Sequence, residues 1–122
     1  MNLGDTFLMS VPPRFDCDHL FFVISDPNEH NGTYIIVNVT GDESRADREC
    51  VLIKGDHPWI TKECFVAFAD ALEITPERDA MINVLIGTRV TVQPCLDTAV
   101  LAKIITAAKC SSAITRAFKK YL

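Results

Sequence analysis

Short apolar runs separated by turn-forming residues fill the N-terminal half of the chain, a pattern that predicts an antiparallel sheet. Residues 4–11 alternate weakly and predict a first strand, which Pro12 and Pro13 should end. A polar stretch at 14–18 predicts a loop. The nearly continuous apolar run at 19–25 predicts a strand that is buried on both faces.

The next segment predicts a hairpin. Residues 26–32 are dense in turn formers and end in Asn31-Gly32, a strong signal for a tight turn. Residues 33–40 then predict the returning strand, so that the first three strands form a meander. The charged stretch at 41–49 has no large apolar side chain and predicts an exposed loop.

Three later segments complete the predicted sheet, and one of them is ambiguous. Residues 50–53 predict a fourth strand, and residues 88–93 alternate as a last strand would. In 63–74 the alanines favour a helix, whereas the aromatic and β-branched residues favour a strand. The hydrophobic period does not decide between them, and the family resemblance described below favours the strand.

A first helix is predicted to start at Thr75, with Thr75 as the N-cap and Pro76 as the first helical residue. It should run to about Ile86 and stop at Gly87, because glycine is the residue that helices favour just after their end.

A second helix is predicted near the C-terminus, with Asp97 in its first turn and Lys109 in its last. Its apolar residues share one face, and they are Val100, Leu101, Ile104, Ile105 and Ala108. Ser112 can cap a final short helix. The chain therefore predicts one mainly β, α+β domain over residues 1–122, a small barrel or rolled sheet with helices at its C-terminal end.

The composition is that of one soluble domain. The chain has 122 residues, of which 48% are hydrophobic and 23% are charged. It has no apolar run near the ~20 residues of a membrane span, and its N-terminus lacks a basic segment followed by an apolar one. The five cysteines are dispersed without a Cys-x-x-Cys pair, so reduced thiols are expected. We therefore expect a cytoplasmic protein.

Charge is distributed unevenly along the chain. The net charge is −4, but residues 97–122 carry five cations and one anion, whereas residues 1–96 carry seven cations and fifteen anions. The basic C-terminal end favours an acidic partner or a phosphate backbone, or it is a solvated helix face. The acidic total argues against strong non-specific binding of nucleic acid.

Four short motifs carry a resemblance to a known family. The chain has Gly-Asp-Thr-Phe-Leu at 4–8, Phe-Val-Ile-Ser at 22–25 and Val-Asn-Val-Thr at 37–40. Residues 60–66, Ile-Thr-Lys-Glu-Cys-Phe-Val, look like a lysine–acid–serine–valine strand with Cys64 at the serine. Up to about residue 75 the sequence resembles the MazF/PemK (Kid)-like toxins of type II toxin–antitoxin systems, an SH3-like barrel group that also includes CcdB.

This resemblance implies an SH3-like β-barrel and a metal-independent endoribonuclease without a cofactor. Such an enzyme cuts single-stranded RNA, forms a homodimer and is inhibited by an antitoxin protein. Family members have an arginine followed by a proline at the start of the second strand, and a threonine at the end of the third. Thr40 matches that threonine, whereas His19 and Leu20 occupy the arginine and proline positions.

The candidate catalytic residues are therefore His19, Thr40 and Arg48. Cleavage needs a base for the attacking 2′-hydroxyl, an acid for the leaving 5′-oxygen, and a cation or donors for the phosphorane. His19 can do acid–base work near neutral pH but cannot replace a permanent charge, which Arg48 or Arg45 would supply if their loop folds over the site. The alternatives are a strand-end histidine, a strand threonine and solvated loop arginines.

The candidate RNA-binding residues are Arg45, His57 and Trp59. Trp59 could stack on a nucleobase, plug the barrel or pack at a dimer interface. Asp56 and His57 could form a carboxylate-oriented base, but neighbouring turn residues seldom face each other, which favours a structural turn held by His57-Pro58. The three histidines are 11 and 27 residues apart, without metal-ligand spacing, so no metal site is predicted.

Two other functions stay open. One is a non-catalytic SH3-like barrel module that poisons a protein target, as CcdB does, through its C-terminal helix. The other is a degenerate relative that only dimerises and binds a partner. The missing arginine–proline pair and the acidic balance favour these two, whereas His19, Thr40 and the arginine-bearing loop favour the ribonuclease.

Overall fold

The computed structural model describes residues 1–11, 15–42 and 47–122, and within them the chain forms seven strands, two α-helices and three short 3₁₀ helices. The strands are β1 (Thr6–Val11), β2 (Phe15–Val23), β3 (Tyr34–Thr40), β4 (Val51–Leu52), β5 (Cys64–Val66), β6 (Leu72–Ile74) and β7 (Val90–Gln93). The α-helices are α1 (Pro76–Leu85) and α2 (Thr98–Cys110), and the 3₁₀ helices are Pro27–Glu29, Phe68–Asp70 and Arg116–Tyr121. The predicted mainly β, α+β class is confirmed.

All strand pairs are antiparallel, and the strands lie in the order β4-β5-β3-β2-β1-β7, with β6 also paired to β3. The predicted meander of the first three strands is therefore confirmed. In the described part of the chain, β4 and β7 lie at the two ends of this order and do not pair with each other. The sheet is thus open rather than closed into a barrel.

The predicted hairpin turn is present between β2 and β3. Asn31 and Gly32 have φ values of 55° and 86°, the left-handed conformation that Asn-Gly turns supply at low cost. The predicted loop at 14–18 is wrong from Phe15 onwards, because β2 already begins there and pairs with β1. Polar residues fit this strand because alternate positions of an antiparallel strand can face water, as the exposed Asp18 does. The predicted end of the first strand at Pro12 and Pro13 lies outside the described residues.

The ambiguous segment 63–74 forms two short strands rather than one. β5 pairs with Val39 and Thr40, and β6 pairs with residues 34–36, so both lie along β3. Between them the chain leaves the ladder in a 3₁₀ turn, where the Asp70 N–H donates to the Ala67 carbonyl at 3.0 Å. The preference for strand was correct at both ends of the segment and wrong in its middle.

Each face of the sheet carries its own apolar cluster. β2 contributes alternate residues to the two clusters, which explains why its sequence is apolar almost without interruption. Leu20 and Phe22 pack in the same cluster as Ile104 of α2. Phe21 and Val23 pack in the other cluster, which also contains Ile82 of α1. The sheet is therefore sandwiched between α1 and α2.

The predicted start of α1 is confirmed, whereas Asp97, predicted in the first turn of α2, is the N-cap just before that helix. The Thr75 hydroxyl accepts from the Arg78 N–H at 3.4 Å, and α1 ends at Leu85, just before Gly87 with its φ of 90°. The Asp97 carboxylate accepts from the Ala99 N–H at 3.1 Å at the start of α2. The predicted apolar face of α2 is also confirmed, because all five of its residues pack in the cluster that covers this face of the sheet.

The predicted cap at Ser112 is wrong. The final 3₁₀ helix begins after Thr115 and has no side-chain cap. Ser111, which precedes Ser112, is buried. Its hydroxyl accepts from the backbone N–H groups of Ala113 and Ile114 at 3.0 and 3.1 Å. Ser111 therefore shapes the turn that follows α2, and the short helix starts only after that turn.

Candidate functional site

A cavity of about 470 Å³ opens beside the C-terminal end of β3, and we call it the His19 cavity. It is lined by Asp18, His19, Val39, Thr40, Gly41, Trp59, Ile60, Thr61, Lys62 and Cys64. Three of the six predicted site residues meet here: His19, Thr40 and Trp59. They come from β2, β3 and the connection between β4 and β5.

The register of the β2–β3 hairpin brings His19 and Thr40 together. Phe21 pairs with Asn38 across the two strands, and His19 and Thr40 each lie two residues further along. Since side chains alternate between the two faces of a strand, residues two apart emerge on the same face. Both side chains therefore reach the same cavity.

The Thr40 hydroxyl is oriented by the backbone that follows β3. Its oxygen accepts from the Asp42 N–H at 3.1 Å, a turn in which a threonine side chain binds the backbone two residues on. The hydroxyl proton meets no acceptor in the described part of the chain, so it can be donated to a ligand in the cavity.

The connection between β4 and β5 folds back over the cavity through a compact turn. The Asp56 carboxylate accepts from the Ile53 N–H at 2.9 Å, and the Ile60 N–H donates to the His57 carbonyl at 2.9 Å. Gly55 has a φ of 102°, which a side chain would strain. This turn presents Trp59, which remains 42% exposed.

His57 is buried beneath this turn, with only 2% of its surface exposed. Its Nδ1 accepts from the Trp59 N–H at 3.1 Å, which places the ring proton on Nε2. Nε2 then donates to the Pro94 carbonyl at 3.0 Å and lies 2.9 Å from the Thr6 hydroxyl. Burial lowers the pKa of His57 and outweighs the opposing effect of the Pro94 hydrogen bond.

The predicted RNA contact at His57 therefore needs correction. Both ring nitrogens are occupied by groups of the chain itself, and the ring is not accessible to a ligand in this conformation. His57 instead holds the turn that carries Trp59, which agrees with the structural alternative considered for Asp56 and His57.

Arg48, one of the two predicted arginines, does not line the His19 cavity. The Arg48 guanidinium lies 5.5 Å from the centre of the Phe65 ring, a cation–π geometry, and Arg48 is not among the lining residues. Arg45 lies outside the described residues. Among the residues that the structure describes, the permanent positive charge in the lining of the His19 cavity belongs to Lys62.

Lys62 is a candidate site residue that the sequence analysis did not single out. It is exposed, and its Cε lies close to Gly41, since a Cβ built on that glycine would be 4.0 Å away. Lys62 has no hydrogen bond or ion pair with any described residue, so its ammonium group is available to an anion. The signal was present in the Thr-Lys-Glu-Cys stretch of the family resemblance, but the turn that brings it back to His19 was not predictable.

Cys64, also in the lining, is not poised for chemistry. Burial, with smaller contributions from nearby acidic groups, raises the pKa of its thiol to about 11. The thiol is therefore protonated at neutral pH, and it is the thiolate that acts as a nucleophile. Cys64 forms part of the apolar wall.

A second cavity, of about 410 Å³, lies on the other side of Thr40, and we call it the Glu49 cavity. It is lined by Thr40, Asp47, Glu49, Ala67, Ala69, Ser112 and Ala113. The two carboxylates are bound by the chain. Glu49 accepts from the Ser111 hydroxyl and from the N–H groups of Ser112 and Ala113 at 2.8 and 3.3 Å, while Asp47 accepts from the Ala69 N–H at 3.0 Å.

The pKa values of the two carboxylates are shifted in opposite directions. The hydrogen bond from Ser111, helped by the two backbone donors, lowers the pKa of Glu49 despite partial burial. Burial raises the pKa of Asp47, and the nearby Glu49 charge adds to this effect, while the hydrogen bond from Ala69 opposes it. The pair ties the 47–49 segment to the turn after α2.

Comparison with protein-family models and with curated proteins gives no match. Among the described residues, no helix is both long and apolar enough to cross a membrane. No group of three or more His, Cys, Asp or Glu side chains within the same ranges has an arrangement that could hold a metal ion.

Proposed function

We propose that this chain is a toxin-type, metal-independent endoribonuclease that cleaves single-stranded RNA in the His19 cavity. The observation that carries the proposal is the convergence of His19, Thr40, Trp59 and Lys62 on one cavity from separate segments of the chain. A volume of about 470 Å³ lies in the usual range of ligand sites. These four side chains supply a base, a donor, a stacking surface and a cation.

In the proposed reaction, His19 takes the proton of a ribose 2′-hydroxyl. The 2′-oxygen then forms a bond to the adjacent phosphorus while the bond from phosphorus to the 5′-oxygen breaks. The leaving 5′-oxygen takes a proton from water, and the hydroxide so formed takes the proton that His19 holds, which restores the neutral base. The products are a 2′,3′-cyclic phosphate and a 5′-hydroxyl. The reaction consumes no oxidant, reductant or cofactor.

Thr40 and Lys62 bind the phosphate during this step. The Thr40 hydroxyl has its acceptor side occupied by Asp42, so it donates to a non-bridging oxygen. The Lys62 ammonium offsets the charge that accumulates on the phosphorane. Lys62 thereby takes the electrostatic part of the family's arginine, while His19 takes its acid–base part.

Trp59 selects an unpaired strand. A nucleobase can stack on an indole only when it has left its own helix, and such stacking contributes about 1–3 kcal/mol per base. Trp59 is the one large aromatic residue in the lining of the His19 cavity, so we assign it one nucleotide beside the scissile phosphate.

The resemblance to MazF/PemK toxins extends the proposal beyond the site. It adds an SH3-like arrangement for the antiparallel sheet, a homodimer in the cytoplasm and an antitoxin protein that blocks the cavity. Residues 4–8, 22–25, 37–40 and 60–66 support it, and they contribute to β1, β2, β3 and β5 respectively.

The first experiment measures cleavage of a long unstructured RNA by the purified chain in EDTA. We expect wild-type cleavage, and a loss of about 10²–10⁴-fold in His19→Ala because the general base is removed. His30→Ala is the matched control, because His30 lies edge-on to Tyr121 at 5.0 Å and does not line the cavity. Cleavage by wild type that His19→Ala leaves unchanged would discard the base, and absence of any cleavage would discard the ribonuclease.

The second experiment compares two cations. Lys62→Ala should reduce cleavage strongly, whereas Arg48→Ala should change it little, because Lys62 lines the cavity and Arg48 lies over Phe65. The reverse order would return the phosphate-binding role to Arg48, as first predicted from the sequence.

The alternative function is a non-catalytic binding module, either a CcdB-like poison of a protein target or a degenerate relative. The observation that favours it is the substitution of the family's arginine and proline by His19 and Leu20. A chain that binds unstructured RNA or a protein without cutting RNA supports this alternative. Inhibition of translation in cells would favour the ribonuclease, and inhibition of DNA supercoiling would favour the CcdB-like poison.

A further inference from the structure

Exposed large apolar side chains are concentrated in one stretch of the described chain, from α1 to β7. Seven large hydrophobic residues are exposed in it, and four of them lie within residues 81–92. They are Met81, Val84, Ile86 and Val92. Val84 is 81% exposed and Met81 is 66% exposed, although both belong to a helix whose one buried residue is Ile82. α1 therefore presents apolar surface outward as well as inward.

A groove of about 440 Å³ lies between α1 and the sheet. Its apolar lining residues are Met9, Leu72, Ile74, Met81, Ile82 and Leu85. A shallower depression of about 290 Å³ shares Met81 and Leu85 with it and adds Ala80 and Val84. The apolar surface is thus continuous across α1, and we call the two depressions together the α1 groove.

The charged residues that line the α1 groove are both arginines, Arg78 and Arg89, and no acidic residue lines it within the described ranges. The Arg78 guanidinium donates one hydrogen bond, to the Glu73 carbonyl at 2.7 Å, and so keeps most of its five N–H groups. Arg89 is exposed, and its guanidinium has no hydrogen bond or ion pair with a described residue. Asp79, next to Arg78, is bound instead by the Met1 ammonium and the Tyr34 hydroxyl.

We propose that the α1 groove docks a segment of another protein that carries both acidic and apolar side chains. Carboxylates of the segment would pair with Arg78 and Arg89, where arginine favours two-point contact with a carboxylate. Its apolar side chains would fill the space between Leu72 and Met81. The chain as a whole has a net charge of −4, whereas the charged residues that line the groove are cationic. The local charge of the groove, rather than the net charge of the chain, would therefore select the partner.

This occupant fits better than the two obvious competitors. A second copy of the chain across a twofold axis would bring the same patch against itself, with four arginines in one interface and no lining carboxylate to pair with them. RNA would find no aromatic side chain among the described lining residues on which a base could stack. The proposal does not depend on cleavage in the His19 cavity.

The test uses random peptides displayed on phage, selected on the intact chain. We expect the selected peptides to be enriched in Asp, Glu and large apolar residues. A synthetic copy of the most enriched peptide should bind at least about 10-fold more weakly to the Arg78→Glu/Arg89→Glu variant, measured by fluorescence anisotropy. Its affinity should also fall as salt is raised, because the pairs are exposed.

Two matched variants make the result specific. Lys54→Glu/Arg116→Glu makes the same change in net charge at exposed residues outside the groove and should bind like wild type. Val84→Ser removes an apolar side chain that is 81% exposed, so it should weaken binding without unfolding the chain. Thermal melts confirm the fold of each variant.

Three outcomes would overturn the proposal. Selected peptides without acidic enrichment would remove the charge argument, and equal binding to wild type and the Arg78→Glu/Arg89→Glu variant would place the site elsewhere. A chain that sediments as a dimer and becomes a monomer in Val84→Ser would assign the groove to a second copy.

Discussion

Two cavities share Thr40 as a wall, and their polar groups are used in opposite ways. In the Glu49 cavity the Glu49 carboxylate accepts three hydrogen bonds from residues 111–113, and Asp47 accepts one from Ala69. In the His19 cavity the Thr40 hydroxyl proton and the Lys62 ammonium have no acceptor among the described residues. The carboxylates of the Glu49 cavity are committed to the chain, apart from Asp47 Oδ1, which has no hydrogen-bond partner among the described residues. The Thr40 hydroxyl proton and the Lys62 ammonium of the His19 cavity are available to a ligand.

This difference separates a structural cluster from a candidate site better than residue type does. Two neighbouring carboxylates look more like catalytic groups than a threonine and a lysine do. Yet the carboxylates join two segments that are far apart in sequence, and joining segments is a sufficient reason for their position. Available hydrogen-bonding capacity beside a cavity is the more useful criterion.

After the loss expected for His19→Ala, the largest expected effect is at Thr40, the wall that the two cavities share. Thr40→Val keeps the shape of the side chain and removes the donor, and we expect cleavage of unstructured RNA to fall about 100-fold. Thr40→Ser should restore most of the rate, because serine keeps the hydroxyl. Normal cleavage by Thr40→Val would show that neither cavity uses this hydroxyl.

The next largest effect is expected at His57, which lies beneath the turn that carries Trp59. His57→Gln should lower the free energy of unfolding by about 2 kcal/mol at neutral pH, since buried hydrogen bonds to Trp59 and Pro94 are lost or weakened. Denaturant unfolding measures this loss, and His30→Gln serves as the comparison histidine.

The same variant should change the response to acid. Burial lowers the pKa of His57 below its usual 6.5, so the unfolded chain takes up a proton at a higher pH than the folded chain does. Wild-type stability should therefore fall as pH drops through about 6.5 towards the lower folded pKa. This part of the fall should be missing in His57→Gln, and an unchanged profile would contradict a buried neutral ring.

A smaller effect is expected from the exposed indole. Trp59→Ala should weaken binding of single-stranded RNA about 10-fold and leave the melting temperature nearly unchanged, because Trp59 is 42% exposed. Trp59→Phe should recover part of the affinity. A large loss of stability with no loss of affinity would instead make Trp59 a packing residue, the alternative considered from the sequence.

The smallest effect is expected in the Glu49 cavity. Glu49→Gln should cost about 1 kcal/mol of stability or less, because the carboxylate is exposed and solvent screens its charge. Ser111 and two backbone N–H groups lower the pKa of Glu49, so its contribution should be present above the usual 4.5 and disappear as pH falls below it. Cleavage per folded molecule should not change, and a lost activity would make this cavity part of the site.

The proximity of His19 and Thr40 could be predicted from the sequence because it follows from local rules. The turn formers at 26–32 predict that the chain returns antiparallel to β2, which brings the start of β2 beside the end of β3. The exact register was not predictable, because Phe21 and its partner Asn38 are not at equal distances from the Asn31-Gly32 turn. The capping threonine of α1 was predictable for the same reason, since its partner is three residues away.

The opposite fates of His57 and Trp59 could not be predicted. By residue type, histidine belongs on the surface more than tryptophan does, yet His57 is buried and Trp59 is exposed. The cause is the Pro94 carbonyl, 37 positions away, which satisfies the ring nitrogen that burial would otherwise leave without a partner. Arg48 was misplaced for a similar reason, because Phe65 offers it a ring that sequence spacing does not reveal.

The pairing of β1 with β7 joins two ends of the domain, from Thr6 opposite Gln93 to Met9 opposite Val90. During synthesis, β1 leaves the ribosome more than 70 residues ahead of β7, and its outer edge stays uncovered until β7 has also emerged. Contacts of such long sequence separation form slowly, and an uncovered edge can pair with another chain in the meantime. The growing polypeptide is therefore most prone to aggregate before residue 93 emerges, and completion of this last ladder ends that interval.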